Sequence, residues 1–347
     1  MRAPPPIGTV RGMRVAVVGA GSWGTAIAAM AATRTDTVLW ARRPELAAQI
    51  RETRTNPDYL PGVSLPEALS ATSDLAGAFA GVDMVIMAVP SHGFRDVLAA
   101  AGAAIPSGIP IVSLTKGIET GSLKRMTEVI LDVIDTDPSA VGVLTGPNLA
   151  REIAAGQPAA AVVGMADEAV GARLQALLMG PTFRVYTNPD VVGCEAAGAL
   201  KNVMAIAAGM AHGLGYGDNS KAALVTRALA ELTRLGIALG GRPLTFAGLA
   251  GMGDLVATCF SEQSRNRTVG VELGRGRALD EIVAEMQMVA EGVKSTEAVL
   301  ELAQRHGIDM PIARAVGAVL YEGAKPSDMV RALMMREAKS EMHGMEG

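Results

Sequence analysis

From position 13 onward, short apolar runs rich in β-branched residues alternate with longer stretches in which apolar positions recur at i, i+3 and i+4. The short runs fall at Arg14–Val18 and at 37–40, 83–89, 110–114, 140–144, 159–163 and 183–186, with little polar alternation inside them. Strands covered on both faces, as in a parallel sheet with crossover helices, have this pattern. After Asn188 the β signal stops, and 190–212, 221–239, 280–288, 295–306, 310–321 and 326–335 read as helices. The pattern therefore predicts an α/β chain, with a doubly wound sheet over 13–189 followed by an all-helical domain over 190–338. Residues 1–12, which include Pro4-Pro5-Pro6, and residues 339–347 read as disordered tails, and Met13 as an alternative start.

Composition narrows the function classes. At 347 residues the chain exceeds the size at which one core stops growing, so two domains are expected. Thirty-one Lys and Arg against 35 Asp and Glu leave no basic excess to hold a nucleic-acid backbone. Two cysteines, Cys194 and Cys259, and four histidines show no CxxC or HxxH spacing, so neither a disulfide framework nor a metal site is expected. Residues 15–33 are uncharged, but Gly19, Gly21 and Gly24 argue against reading them as a membrane span or signal core. No stable membrane insertion is expected, and a reducing cytoplasm fits the cysteine usage.

Gly19-Ala20-Gly21-Ser22-Trp23-Gly24 follows the first predicted strand and opens a helical run, which places G-x-G-x-x-G in the strand–turn–helix setting of a Rossmann-type dinucleotide site. Gly19 makes the turn, Gly21 admits a pyrophosphate to the backbone, and Gly24 lets helix and strand pack closely. An NAD-selective site carries an acid about 20 residues further on. Here the second strand ends in Ala41-Arg42-Arg43, with no acid until Glu45. Two guanidinium groups suit a 2′-phosphate, so NADP(H) is expected to be preferred, with NAD(H) possible; a solvated basic turn is the alternative. Later strand ends carry Ser91-His92, Thr115-Lys116-Gly117 and Thr145-Gly146-Pro147-Asn148, polar tips expected to line the cofactor cleft. Nothing acidic nearby in sequence would orient His92, which reads as a loop residue near the nicotinamide.

In the helical half, Lys201 is the one charge across 196–211. Burying an ammonium among apolar residues is costly, so this lysine should face a cavity or an acidic partner and serve as an acid. Its alternative is a snorkelling side chain. Asp254, in a glycine-rich loop, is the candidate partner. Behind it come Thr258 and then Ser264-Arg265-Asn266-Arg267, which read equally as a phosphate-monoester site or as a solvated loop. Glu291-Gly292 reads either as a cofactor contact or as a helix cap.

GAGSWGTA, VPSH, TKG, GPN, the Lys201-Asn202 pair, GMGD, QSRNR and AEG, spread over 14–336, closely resemble the bacterial NAD(P)-dependent glycerol-3-phosphate dehydrogenases. The resemblance implies an oxidoreductase that interconverts dihydroxyacetone phosphate and sn-glycerol 3-phosphate for phospholipid synthesis, as a cytoplasmic homodimer. It implies Lys201 as proton donor or acceptor, supported by Asp254 and Asn202. Lys116, Ser264, Arg265 and Asn266 would hold the substrate phosphate, with Gly146, Asn148 and Thr258 on the substrate side. Ser22, Trp23, Arg42, Lys116, Ala150, Arg265, Val289 and Glu291 would touch the nucleotide. Thr145 and Asn148 depart from the family's pattern, which has a serine and a small hydroxyl residue there. A 3-hydroxyacid dehydrogenase and a catalytically silent NADPH sensor are the competing readings. The phosphate cluster argues against the first, and the presence of both Lys201 and Asp254 against the second.

Overall fold

The computed structural model describes residues 12–286, 290–338 and 340–341. Contacts divide the chain into two compact units: one runs to Thr115 and resumes over Met126–Val191, and the other comprises Lys116–Arg125 and the chain from Val192. The predicted tails lie largely outside the described residues. Of the C-terminal one, Ser340 and Glu341 are described, and the Glu341 carbonyl accepts from Arg227 Nη1 at 3.0 Å.

The first unit holds an eight-stranded sheet: β1 (Arg14–Val18), β2 (Asp36–Trp40), β3 (Leu69–Thr72), β4 (Met84–Met87), β5 (Ile111–Ser113), β6 (Val141–Thr145), β7 (Ala159–Gly164) and β8 (Phe183–Asn188). Their spatial order is β3-β2-β1-β4-β5-β6-β7-β8. Helices α1 (Ser22–Ala32), α2 (Pro44–Thr53), α3 (Phe94–Ala101), α4 (Met126–Val133), α5 (Ala150–Ala154) and α6 (Glu168–Leu178) connect them. Val15 and Val17 join one apolar cluster and Ala16 and Val18 another, as a strand covered on both faces requires. The chain order reverses at the β1/β4 neighbour pair, the switch point at which doubly wound folds bind ligands.

Two features depart from the sequence reading. The edge strand β3 was not foreseen: in Leu-Ser-Ala-Thr only Leu69 and Ala71 are buried and Ser70 is exposed, so there is no continuous apolar run. The sheet is also not wholly parallel, because β7 pairs antiparallel to β6. The link between them carries only the five-residue α5.

The second unit is helical: α7 (Val191–Gly213), α8 (Asp218–Ala238), α9 (Pro243–Phe246), α10 (Asp254–Phe260), α11 (Arg265–Gly274), α12 (Leu279–Glu285), α13 (Glu291–Arg305), α14 (Pro311–Tyr321) and α15 (Pro326–Met334). Sequence periodicity did not foresee the helices between 243 and 274, and it began α13 four residues late. By length and composition α7 could cross a membrane, but 83% of its apolar window is buried inside the protein, which makes it this unit's central helix. Its approach to α11 is close: a Cβ on Gly209 would stand 2.1 Å from the Arg267 carbonyl oxygen. Glycine at that crossing brings the backbone carrying Asn266 within side-chain reach of α7.

Candidate active site

In the first unit the loop after β1 has the shape the motif requires. Gly19 has φ +118°, and a Cβ there would meet the Ala88 carbonyl oxygen at 2.6 Å; at Gly24 a Cβ would fall 2.0 Å from Gly19 O. Around a Cβ at Gly21, by contrast, nothing lies within 4 Å. The N-terminus of α1 has no side-chain cap and no acidic residue in its first turn, so no side chain of this helix engages its first amides or offsets the positive end of its dipole. A pyrophosphate fits that cradle. Sequence reasoning missed Asn56, fully buried, whose Nδ2 donates to Ala20 O at 2.9 Å and Thr25 Oγ1 at 2.8 Å and so pins the loop. The only signal for it was the turn-forming Asn56-Pro57 pair.

Around this loop the predicted nucleotide contacts differ in how occupied they are. Ser22 Oγ donates to Tyr59 O at 2.5 Å. The Trp23 ring lies 6.3 Å from that of Phe183, and its Nε1 is buried with no partner among the described residues. The two basic residues after β2 part company: Arg43 pairs with Asp58 and stacks over Tyr59, whereas exposed Arg42 makes no hydrogen bond or ion pair among the described residues. Arg42 is thus the guanidinium open to a 2′-phosphate. Past β6, Gly146 adopts φ +121°, and both amide atoms of Asn148 and the Thr145 Oγ1 are buried without partners among the described residues. Such orphaned groups are costly unless a polar ligand or water satisfies them. Ala150 opens α5, and His92 is exposed and makes no hydrogen bond or ion pair among the described residues. Val289 lies outside the described residues.

In the second unit three charged side chains meet below the surface. Lys201 Nζ on α7 donates to Asp254 Oδ1 at 2.6 Å and to Thr258 Oγ1; Thr258 in turn donates to the Asp254 carbonyl oxygen at 2.7 Å. Asp254, 1% exposed, follows the π-helical turn Leu249–Gly253 and heads α10, with Thr258 one turn along. Its second oxygen, Oδ2, accepts from Lys116 Nζ at 2.6 Å. Burial, and after it Lys201's charge, lower the Lys116 pKa to about 8 against the opposing pull of Asp254.

Asn202 links a different set of groups. It makes no hydrogen bond to Lys201; instead its Nδ2 donates to Lys116 O at 3.3 Å and its Oδ1 accepts from Asn266 Nδ2 at 3.0 Å. Asn266 Oδ1 accepts the Gly292 amide at 2.8 Å, tying α7, α11 and α13 together. Ser264 caps α11 by accepting from Arg267 N–H at 3.3 Å. Arg265, next to that cap, remains exposed in the field of Glu291, the first residue of α13. The structure thus joins Lys116, Lys201, Asn202, Asp254, Thr258 and Asn266 in one network, with Ser264 and Arg265 at its α11 margin.

Known proteins resemble this chain over nearly its whole length. Models of the N-terminal and C-terminal parts of NAD-dependent glycerol-3-phosphate dehydrogenase match residues 14–171 and 190–331. A glycerol-3-phosphate dehydrogenase (NAD(P)+) from Sphingopyxis alaskensis is 56% identical over 95% of this chain and 99% of its own. One from Thermobifida fusca is 53% identical over 96% and 99%. The crystal structure of glycerol-3-phosphate dehydrogenase from Coxiella burnetii superposes with a TM-score of 0.89 at 37% identity, covering 93% of this chain and 99% of that one. With a glycine-rich cradle in one unit, a lysine–aspartate network in the other, and relatives this similar along their full length, the chain belongs to the NAD-dependent glycerol-3-phosphate dehydrogenase family.

Proposed function

We propose that the chain catalyses the reversible NAD(P)H-dependent reduction of dihydroxyacetone phosphate to sn-glycerol 3-phosphate. The observation that carries this reading is charge: a single buried carboxylate, Asp254, serves two ammonium groups, so with both lysines protonated the trio holds a net positive charge. A site of that sign favours an anionic substrate and, still more, the alkoxide that develops on its oxygen in the transition state. The chemistry supplied by a bound reduced nicotinamide is hydride delivery to the ketone carbon.

Lys201 provides the proton. Two of its three N–H donors are engaged by Asp254 and Thr258, which leaves one for the substrate oxygen. Asp254 fixes that orientation, and water restores the proton after turnover. Lys116, Ser264, Arg265 and Asn266 hold the phosphate, with Gly146 and Asn148 on the substrate side, so that binding energy remote from the reacting carbon becomes positioning. Gly19, Gly21, Ser22, Trp23, Gly24 and Ala150 receive the nucleotide together with Glu291, and Arg42 favours NADP(H) over NAD(H). In this reading the first unit supplies most of the nucleotide contacts and the second most of the substrate contacts. The protein works as a cytoplasmic homodimer supplying glycerophospholipid synthesis.

The test follows nicotinamide absorbance with NADPH and either dihydroxyacetone phosphate or dihydroxyacetone. The unphosphorylated ketone should lose kcat as well as affinity, because a truncated substrate forfeits transition-state orientation. Equal kcat/KM for the two ketones would overturn the reading.

A further inference from the structure

Glu195, Ala199 and Asn202 are spaced i, i+4 and i+7 on α7, so they share one helix face, and all three are buried. Each meets the same short segment, Lys116–Arg125, which belongs to the helical unit although the sequence on both sides of it belongs to the sheet unit. Arg125 Nη1 donates to Glu195 Oε2 at 2.8 Å. Ile118 and Leu123 pack in one apolar cluster with Ala199. The Lys116 carbonyl accepts from Asn202. Within the segment, Glu119 N donates to Lys124 O at 2.9 Å and Ile118 bridges antiparallel to Arg125, closing it into a small hairpin. Lys116 and Arg125 stand at the hairpin's two ends.

We infer that Arg125 and Glu195 are a positioning pair: their buried ion pair sets the register of the hairpin on α7 and thereby holds the Lys116 ammonium on Asp254. The side chains of the pair are 13% and 2% exposed. For stability alone a buried ion pair offers little over apolar side chains of equal volume, because desolvation offsets the attraction. What it adds is direction. Ile118 and Leu123 could pack on α7 in neighbouring registers, whereas a slip along the helix would carry the Arg125 guanidinium away from the Glu195 carboxylate it meets here. Lys116 needs that register, since its stem is largely covered and its ammonium must reach Oδ2 of a carboxylate whose other oxygen is already engaged by Lys201.

This inference rests on the reading of Lys116 as a substrate-binding cation, and a double-mutant cycle keeps the two apart. Lys116→Met and Arg125→Ala are made singly and together, and kcat and KM for dihydroxyacetone phosphate are measured with thermal unfolding as the check on folding. Arg125→Ala should lower kcat/KM by about tenfold or more in the parent but by less than about threefold in the Lys116→Met background, because coupled residues are non-additive. Arg125→Lys should recover much of the loss and Arg125→Met little. A packing role reverses that order. If Arg125→Ala does not fold, Glu195→Gln runs the same cycle. Equal fold-losses in both backgrounds would overturn the positioning pair alone. A Lys116→Met enzyme with full activity would overturn both the pair and the role given to Lys116.

Discussion

The two candidate ligand regions are built from opposite materials. The glycine-rich cradle is built from backbone: amides without a side-chain cap at the start of α1, a turn at Gly19 that leaves no room for a side chain, and free space over Gly21. The lysine–aspartate network acts through side chains, with Asp254 shared by Lys116 and Lys201 and an asparagine chain running on to Gly292. The contrast teaches where each region is fragile. Adding atoms should damage the first, and removing charges should damage the second.

The largest effect falls in the side-chain region. Lys201→Met retains most of the side-chain volume, so NADPH titration should report near-normal binding while kcat drops by about 10²–10⁴, the usual contribution of general acid–base catalysis. Near-full turnover would exclude Lys201 from the chemistry.

Next comes the cationic contact proposed for the nucleotide's 2′-phosphate. Arg42→Ala should lower the NADPH-to-NADH ratio of kcat/KM by about tenfold to a hundredfold, the loss of a charge-assisted contact worth roughly 1.5–3 kcal/mol. Arg43→Ala should change the ratio far less, since its guanidinium is already committed to Asp58. Equal effects of the two would show that the partnering does not separate their roles.

Within the cradle, alanine at Gly19 and at Gly21 should act in different ways. Gly19→Ala forces a Cβ into a left-handed backbone against the Ala88 carbonyl and should cost roughly 1–3 kcal/mol of stability, read as a lower unfolding midpoint. Gly21→Ala meets open space, so the midpoint should hold while NADPH affinity falls. Reduced stability in Gly21→Ala with unchanged affinity would mean that its space is not the pyrophosphate's.

The smallest effect is a pH dependence confined to the side-chain region. With its pKa lowered to about 8, Lys116 is charged below that pH and loses its charge above it. KM for dihydroxyacetone phosphate should therefore rise above pH about 8, by at most about tenfold per unit for a single titrating group. Lys116→Met should abolish the rise, and a flat parent profile would remove Lys116 from phosphate binding.

How far each region was legible in the sequence follows from the same contrast. The cradle could be read because glycine spacing after a β-branched run encodes backbone shape directly. Lys201 and Asp254 stood out as charges in apolar or glycine-rich surroundings. The local sequence could not show that Arg43 is tied to Asp58, that Asn202 bonds the Lys116 backbone rather than Lys201, or that Lys116–Arg125 joins the helical unit. Those are pairings between distant segments, and nothing in the spacing of either partner announces the other. The edge strand β3 escaped for a local reason, since a strand buried on alternate residues by Leu69 and Ala71 leaves too faint a period to detect.

If Lys201 moves the proton, an added amine should replace it in a variant that lacks the side chain. Lys201→Ala is assayed with NADPH and dihydroxyacetone phosphate in the presence of a series of small primary ammonium ions of different pKa. Turnover should be low without amine, rise with ammonium concentration, and depend on the pKa of the added acid. A variant that binds NADPH and substrate normally, yet turns over at the parent's rate without amine or is rescued equally by every amine, would contradict that role for Lys201.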